Sequence, residues 1–157
     1  MKKLFFILLL IASLAGACKK YDEGPWLSLR SAENRLYGAY TLTQYTVNGT
    51  DSLSLYNDSL GLIFWFMYDD VNSIKLCIID RSRKDGGWAT LNWKWRFKNK
   101  NKVIDIESAG GSTNGTGPFG INKLPEWEIL RLTNKEIKMK TNYNYKEYLI
   151  KLETLVK

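Results

Sequence analysis

The stretch Trp88-Ala89-Thr90-Leu91-Asn92-Trp93-Lys94-Trp95-Arg96-Phe97-Lys98 decides how the rest of the chain is read. Leu91, Trp93, Trp95 and Phe97 share one parity, and Asn92, Lys94, Arg96 and Lys98 share the other. Successive side chains of a β-strand point to opposite faces, so the pattern predicts a strand with one buried wall and one wet wall. The same alternation recurs further on: Ile104 and Ile106 oppose Asp105 and Glu107, and Ile137 and Met139 oppose Lys138 and Lys140.

Worked outward, turn residues divide the chain after Gly38 into eight predicted strands, at 39–47, 60–68, 73–80, 88–98, 102–107, 126–132, 136–141 and 143–152. Asn48-Gly49, Asp85-Gly86-Gly87, Thr133-Asn134-Lys135 and Asn142 supply turns between them. No helical segment alternates with the strands, so parallel crossovers are not available and the sheet is an antiparallel meander. The expected class is all-β: an eight-stranded antiparallel up-and-down barrel with one short N-terminal helix, a two-sheet sandwich being the alternative. The helix falls at 28–37, with Ser31 as N-cap and Gly38 as its end. The strand at 60–68 departs from alternation, because Leu62, Phe64 and Phe66 face one way and Ile63, Trp65 and Met67 the other. Something must cover its second face, and the helix is the candidate.

Composition narrows the function. The chain has 157 residues, one domain's worth, with 45% hydrophobic and 25% charged residues and a net charge of +7. It contains no histidine, which removes the commonest general base and metal ligand. Its two cysteines are Cys18 and Cys77. Cys77 lies in an apolar strand, where a buried, inert thiol is expected, and no Cys-His pair can form. The carboxylates at Asp69-Asp70, Asp105/Glu107 and Glu126/Glu128 sit in turns or on wet faces. Asp69, Asp70 and Asn72 lack a full calcium-loop pattern and read as turn chemistry. The sequence therefore predicts no catalytic residues, no metal site, no cofactor and no nucleic-acid partner.

The N-terminus is an address. Lys2 and Lys3 precede an apolar run from Leu4 to Leu14, far short of the ~20 residues that span a bilayer. Small residues follow, in the order Leu14-Ala15-Gly16-Ala17-Cys18. This resembles a bacterial lipobox, in which the cysteine is acylated and becomes the new N-terminus. The implied organisation is a signal peptide at 1–17, a lipidated tether at 18–27 and a β-barrel domain at 28–157. The implied location is the cell envelope, on the outer membrane, held by acyl chains. Cleavage removes only two lysines, so the mature chain stays basic.

Signal, cysteine, short helix, Gly38-Ala39-Tyr40 and eight strands together resemble the lipocalin-like lipoproteins of Bacteroidetes. The resemblance rests on 18–40, on Tyr45-Thr46-Val47-Asn48-Gly49 and on the run from Trp127 to Ile137. It implies a barrel that holds a small ligand. Tyr40 stands where lipocalins proper carry the tryptophan of the barrel floor, and the last strand has Lys146 and Lys151 but no arginine. Asp51-Ser52-Leu53 and Asp58-Ser59-Leu60 also resemble sites at which Bacteroidetes glycosylate exported proteins.

Two features are candidate sites. Tyr40, Trp65, Trp93, Trp95 and Phe97 are expected to line or close the interior, with Phe119 at the rim in the glycine-rich loop 109–120. They would either bind an apolar or amphipathic ligand or fill the barrel. Lys94, Arg96, Lys98, Lys100 and Lys102 recur at every second position. They form either a basic row for an acidic glycan or envelope partner, or a solvated strand face.

Overall fold

The computed structural model describes residues 21–23, 30–55, 62–82, 88–108 and 126–155. Strands are β1 (Gly38–Val47), β2 (Thr50–Asp51), β3 (Leu62–Asp69), β4 (Ile74–Ser82), β5 (Trp88–Lys98), β6 (Val103–Ser108), β7 (Trp127–Leu132), β8 (Glu136–Tyr143) and β9 (Lys146–Thr154). Each pairs antiparallel with the next along the order β2-β1-β3-β4-β5-β6-β7-β8-β9, and β1 also pairs with β9. That last pairing, from Tyr40↔Thr154 to Val47↔Tyr148, closes eight strands into a barrel and leaves β2 as a short ribbon on β1. The sandwich alternative is thereby excluded. Among the described residues, no helix is long and apolar enough to cross a membrane.

The turns follow backbone chemistry. Asn48 and Gly49 both have positive φ (50° and 77°), the conformation that a tight two-residue hairpin demands. The β8–β9 turn is made by Asn144 and Tyr145, at φ 48° and 61°, and not at Asn142, which remains in β8. Gly38 enters β1 at φ 147°, a value that L side chains rarely adopt.

Helix α1 (Ala32–Leu36) is shorter than its sequence span, but its cap is as expected: Ser31 Oγ accepts from the Asn34 amide at 3.2 Å. It does not cover the outer face of β3. It lies across one end of the barrel, where Ala32 and Leu36 are buried. Arg35 Nη1 donates to the Leu132 carbonyl at 2.9 Å. We call this the helix end. The turns at 69–74, 98–103 and 132–136 lie there, because alternate strands run toward it.

Residues 21–23 correct the tether reading. Tyr21 is buried beneath the Arg35 guanidinium, which lies 5.6 Å from its ring centre. The Glu23 amide donates to the Leu130 carbonyl at 2.8 Å, and its carboxylate takes Lys138 Nζ at 2.8 Å. This part of 18–27 is pinned to the barrel and is no free spacer. Cys18, the lipobox, loop 109–120 with Phe119, and Asp85-Gly86-Gly87 lie outside the described residues.

Candidate functional site: the barrel interior

Inward parity brings one apolar side chain after another into a single core. Phe64 and Phe66 come from β3, Cys77 and Ile79 from β4, Trp93 and Trp95 from β5, Ile104 and Ile106 from β6. Trp127, Ile129 and Leu132 of β7, Ile137 and Met139 of β8, and Ile150 and Leu152 of β9 complete it.

At the helix end the interior is closed by rings. Trp95 meets Tyr37, Phe66 and Phe97 edge to face, with centroids 5.9, 6.2 and 5.4 Å away. Tyr40 meets Phe66 in the same way at 6.0 Å. Tyr40 is fully buried, and its hydroxyl donates to the Arg35 carbonyl at 2.8 Å. Burial pushes its phenol up to about 12, so it stays neutral. Trp95 donates its indole N–H to the Leu76 carbonyl at 3.0 Å. Tyr40, Trp95 and the half-buried Phe97 are thus the barrel floor, each polar atom spoken for.

Trp93 differs. It lies two residues farther along β5 from the helix end, about 7 Å toward the other mouth. It is only 3% exposed, yet its Nε1–H has no hydrogen-bond partner among the described residues. Its cross-strand neighbour is Cys77, whose thiol burial drives well above the usual range, so no thiolate forms there.

Trp65 is not part of this interior. It shares outward parity with Ile63 and Met67, pairs with Ala39 and Ile78, and is 36% exposed. Its bulk suggested a core role, but its register puts it on the opposite face from Phe64 and Phe66.

The basic row is shorter and less basic than its sequence. Lys94, Arg96 and Lys98 lie outward on β5, but Lys100 and Lys102 do not continue it. Asn99, Lys100 and Asn101 all take positive φ (49°, 54° and 66°) and break the period at the turn. Arg96 bonds Asp105 and Glu107 at 2.8 and 2.6 Å, and Lys98 bonds Asp105 and Glu126 at 2.7 and 2.5 Å. Burial alone would push the Asp105 carboxyl up, but hydrogen bonds and charge from Lys98 and Arg96 outweigh it and hold the group below its ordinary value. A row so neutralised offers little net field to an acidic glycan.

Where β4 and β5 part, below the Leu76↔Lys94 pair, a crevice of about 360 Å³ opens between Tyr68, Lys75, Trp95 and Arg96. Lys75 Nζ stands 5.2 Å from the Trp95 ring centre and pairs with Glu33 of α1. Its main cations are therefore already partnered. Tyr21, Arg35 and Lys75 were not singled out by sequence. Tyr21 carried one weak signal, as the lone aromatic in a charged stretch.

No protein-family model and no curated protein matches the chain. Among solved structures, it is similar to a lipocalin-like protein from Bacteroides uniformis. That match covers 77% of this chain and 99% of the other, at 16% identity and a TM-score of 0.54. An uncharacterized protein from Bacteroides eggerthii aligns over 73% of this chain and 97% of its own, at 14% identity and a TM-score of 0.47. The first likeness agrees with the closed eight-stranded barrel.

Proposed function

We propose that this chain is a non-catalytic, lipid-anchored protein of the cell envelope whose barrel binds a small amphipathic ligand. The observation that carries the reading is Trp93. A buried polar atom is ordinarily hydrogen-bonded, and leaving one bare costs about 1–3 kcal/mol. An indole N–H held bare inside an apolar barrel, above a satisfied aromatic floor, is a handle for a ligand's oxygen acceptor. The rest of such a ligand would be apolar, to match Ile79, Ile104, Ile106 and Met139. The lipocalin-like neighbour supports ligand binding at the level of fold. The absence of histidine and the inert Cys77 support a non-catalytic role. The lipobox-like 14–18 supports acylation at Cys18 and an outer-membrane location.

A filled barrel acting as an interaction module is the second reading, favoured by the ring-packed floor at Tyr40, Trp95 and Phe97. Native mass spectrometry of the purified protein with an envelope lipid and glycan extract separates the two. A discrete added mass, lost on denaturation, is expected. The Trp93→Phe variant should bind that species roughly three- to tenfold more weakly, the worth of one hydrogen bond. A bare polypeptide mass under every condition overturns the binding barrel in favour of the module.

A further inference from the structure

Two independent features meet at the helix end. The first is a short leash. Tyr21 is buried against Arg35, and Glu23 is held by the Leu130 carbonyl and by Lys138. Arg131 Nη1 adds a bond to the Glu23 carbonyl at 3.3 Å. Only Lys19 and Lys20 separate Tyr21 from Cys18, a reach of about 10 Å even when fully extended. An acyl anchor at Cys18 therefore holds the helix end against the bilayer and points the β8–β9 turn away from it.

The second is the distribution of bare apolar surface. Large hydrophobic residues exposed among the described ones are Trp65, Met67, Tyr68, Val71, Tyr145 and Leu155. Four of these six lie on the β3–β4 hairpin, whose turn is at the helix end. Val71, at its tip, is 91% exposed. The tip is a hydrogen-bonded turn: Asp69 accepts from the Val71 and Asn72 amides at 3.0 and 3.3 Å and from Asn72 Nδ2 at 2.8 Å. At the same end, the β5–β6 turn carries the exposed Lys100 and Lys102.

We infer that the β3–β4 hairpin dips into the headgroup layer of the membrane beside the anchor. Val71, Met67 and Tyr68 enter the layer, and Lys100 and Lys102 meet lipid phosphates. Asp69 and Asp70 share the tip, which favours a zwitterionic phospholipid surface over an anionic one. The inference rests on the reading of Cys18 as acylated. The acyl chains at Cys18 already hold the protein to the bilayer, so the hairpin contact fixes how the barrel is oriented on the surface and adds little to its attachment.

The test uses the full-length protein processed by its expressing bacterium, its acylation checked by intact mass, in phosphatidylcholine vesicles. An environment-sensitive fluorophore is placed on Val71→Cys and, separately, on Tyr145→Cys at the opposite end. Buried Cys77 leaves the introduced thiol as the one that reacts. The probe at 71 should shift to the blue, brighten roughly twofold and be quenched by a headgroup-level nitroxide lipid, as expected of a group ~5 Å into the interface. The probe at 145 should not change. Acylated protein with probe 71 as solvent-exposed as probe 145 overturns the hairpin contact and leaves the anchor standing. Protein without an acyl mass at Cys18 overturns the anchor, and the short leash with it.

Discussion

On the outer wall of the barrel, β5 and β6 set Lys94, Arg96 and Lys98 against Asp105 and Glu107, and Glu126 joins them ahead of β7. On the adjoining wall, β3 and β4 present Ile63, Trp65 and Met67 beside Ile74, Leu76 and Ile78. The two walls share a sheet, since β4 pairs with β5, and behind both the inward residues are equally apolar. The contrast shows that the core fixes only one side of each strand. The other side is free to be solvated or to seek a partner, and these neighbouring hairpins have gone opposite ways.

The sharpest test compares two adjacent residues. Trp95→Ala removes three edge-to-face contacts and the bond to the Leu76 carbonyl. It should cost about 3–5 kcal/mol in denaturant unfolding. Lys94→Ala, one position away on the outer wall, should cost no more than about 0.5 kcal/mol. Comparable losses would break the division into inner and outer walls.

The charged wall makes a smaller prediction. Asp105 is nearly buried and receives both Arg96, which is mostly exposed, and Lys98, which is half-buried at the rim of the strand. Asp105→Asn should cost only about 1–2 kcal/mol, because water reaches both partners and screens the pairs, and the amide oxygen still accepts a hydrogen bond. The sign with pH is fixed. The folded carboxyl is held below its ordinary value of 3.8, so the unfolded chain takes up a proton first as acid is added. Stability from this group is present above that value and is lost as pH falls through the lower folded one. Acid unfolding of the Asn variant should lack that component.

Much of this was legible in advance, and the failures have physical causes. Strict alternation located β5 at its observed bounds, and turn residues placed the other strands within a few residues. Closure was not readable from any single strand, because it depends on Tyr40 to Val47 meeting residues more than a hundred positions away on β9. Parity had already set Trp65 with Ile63 and Met67, but the size of an indole argued for the interior, and register outweighed size. The basic row was extended through Lys100 and Lys102 because periodicity continues in sequence where the backbone turns left-handed. The docking of Tyr21 was hidden by its charged neighbours, and the unsatisfied N–H of Trp93 is a property of packing that no sequence pattern displays.

The smallest expected effect falls on the apolar wall. Val71→Ser should change unfolding free energy by no more than about 0.5 kcal/mol, since a side chain 91% exposed is already in water and gains little on folding. Trp65 is only 36% exposed and Met67 37%, so truncating either would also remove packing against β1 and β4, at pairings such as Ala39↔Trp65 and Met67↔Leu76. Serine at 71 removes apolar surface alone. The variant should therefore leave stability nearly untouched and make the delipidated protein less prone to self-association, read by light scattering. A loss above about 1.5 kcal/mol would mean that the tip of this hairpin is covered in the folded protein, as a large-to-small change does only at a packed site. The contrast with the charged wall would then vanish, and a hairpin reserved for lipid would have to be given up with it.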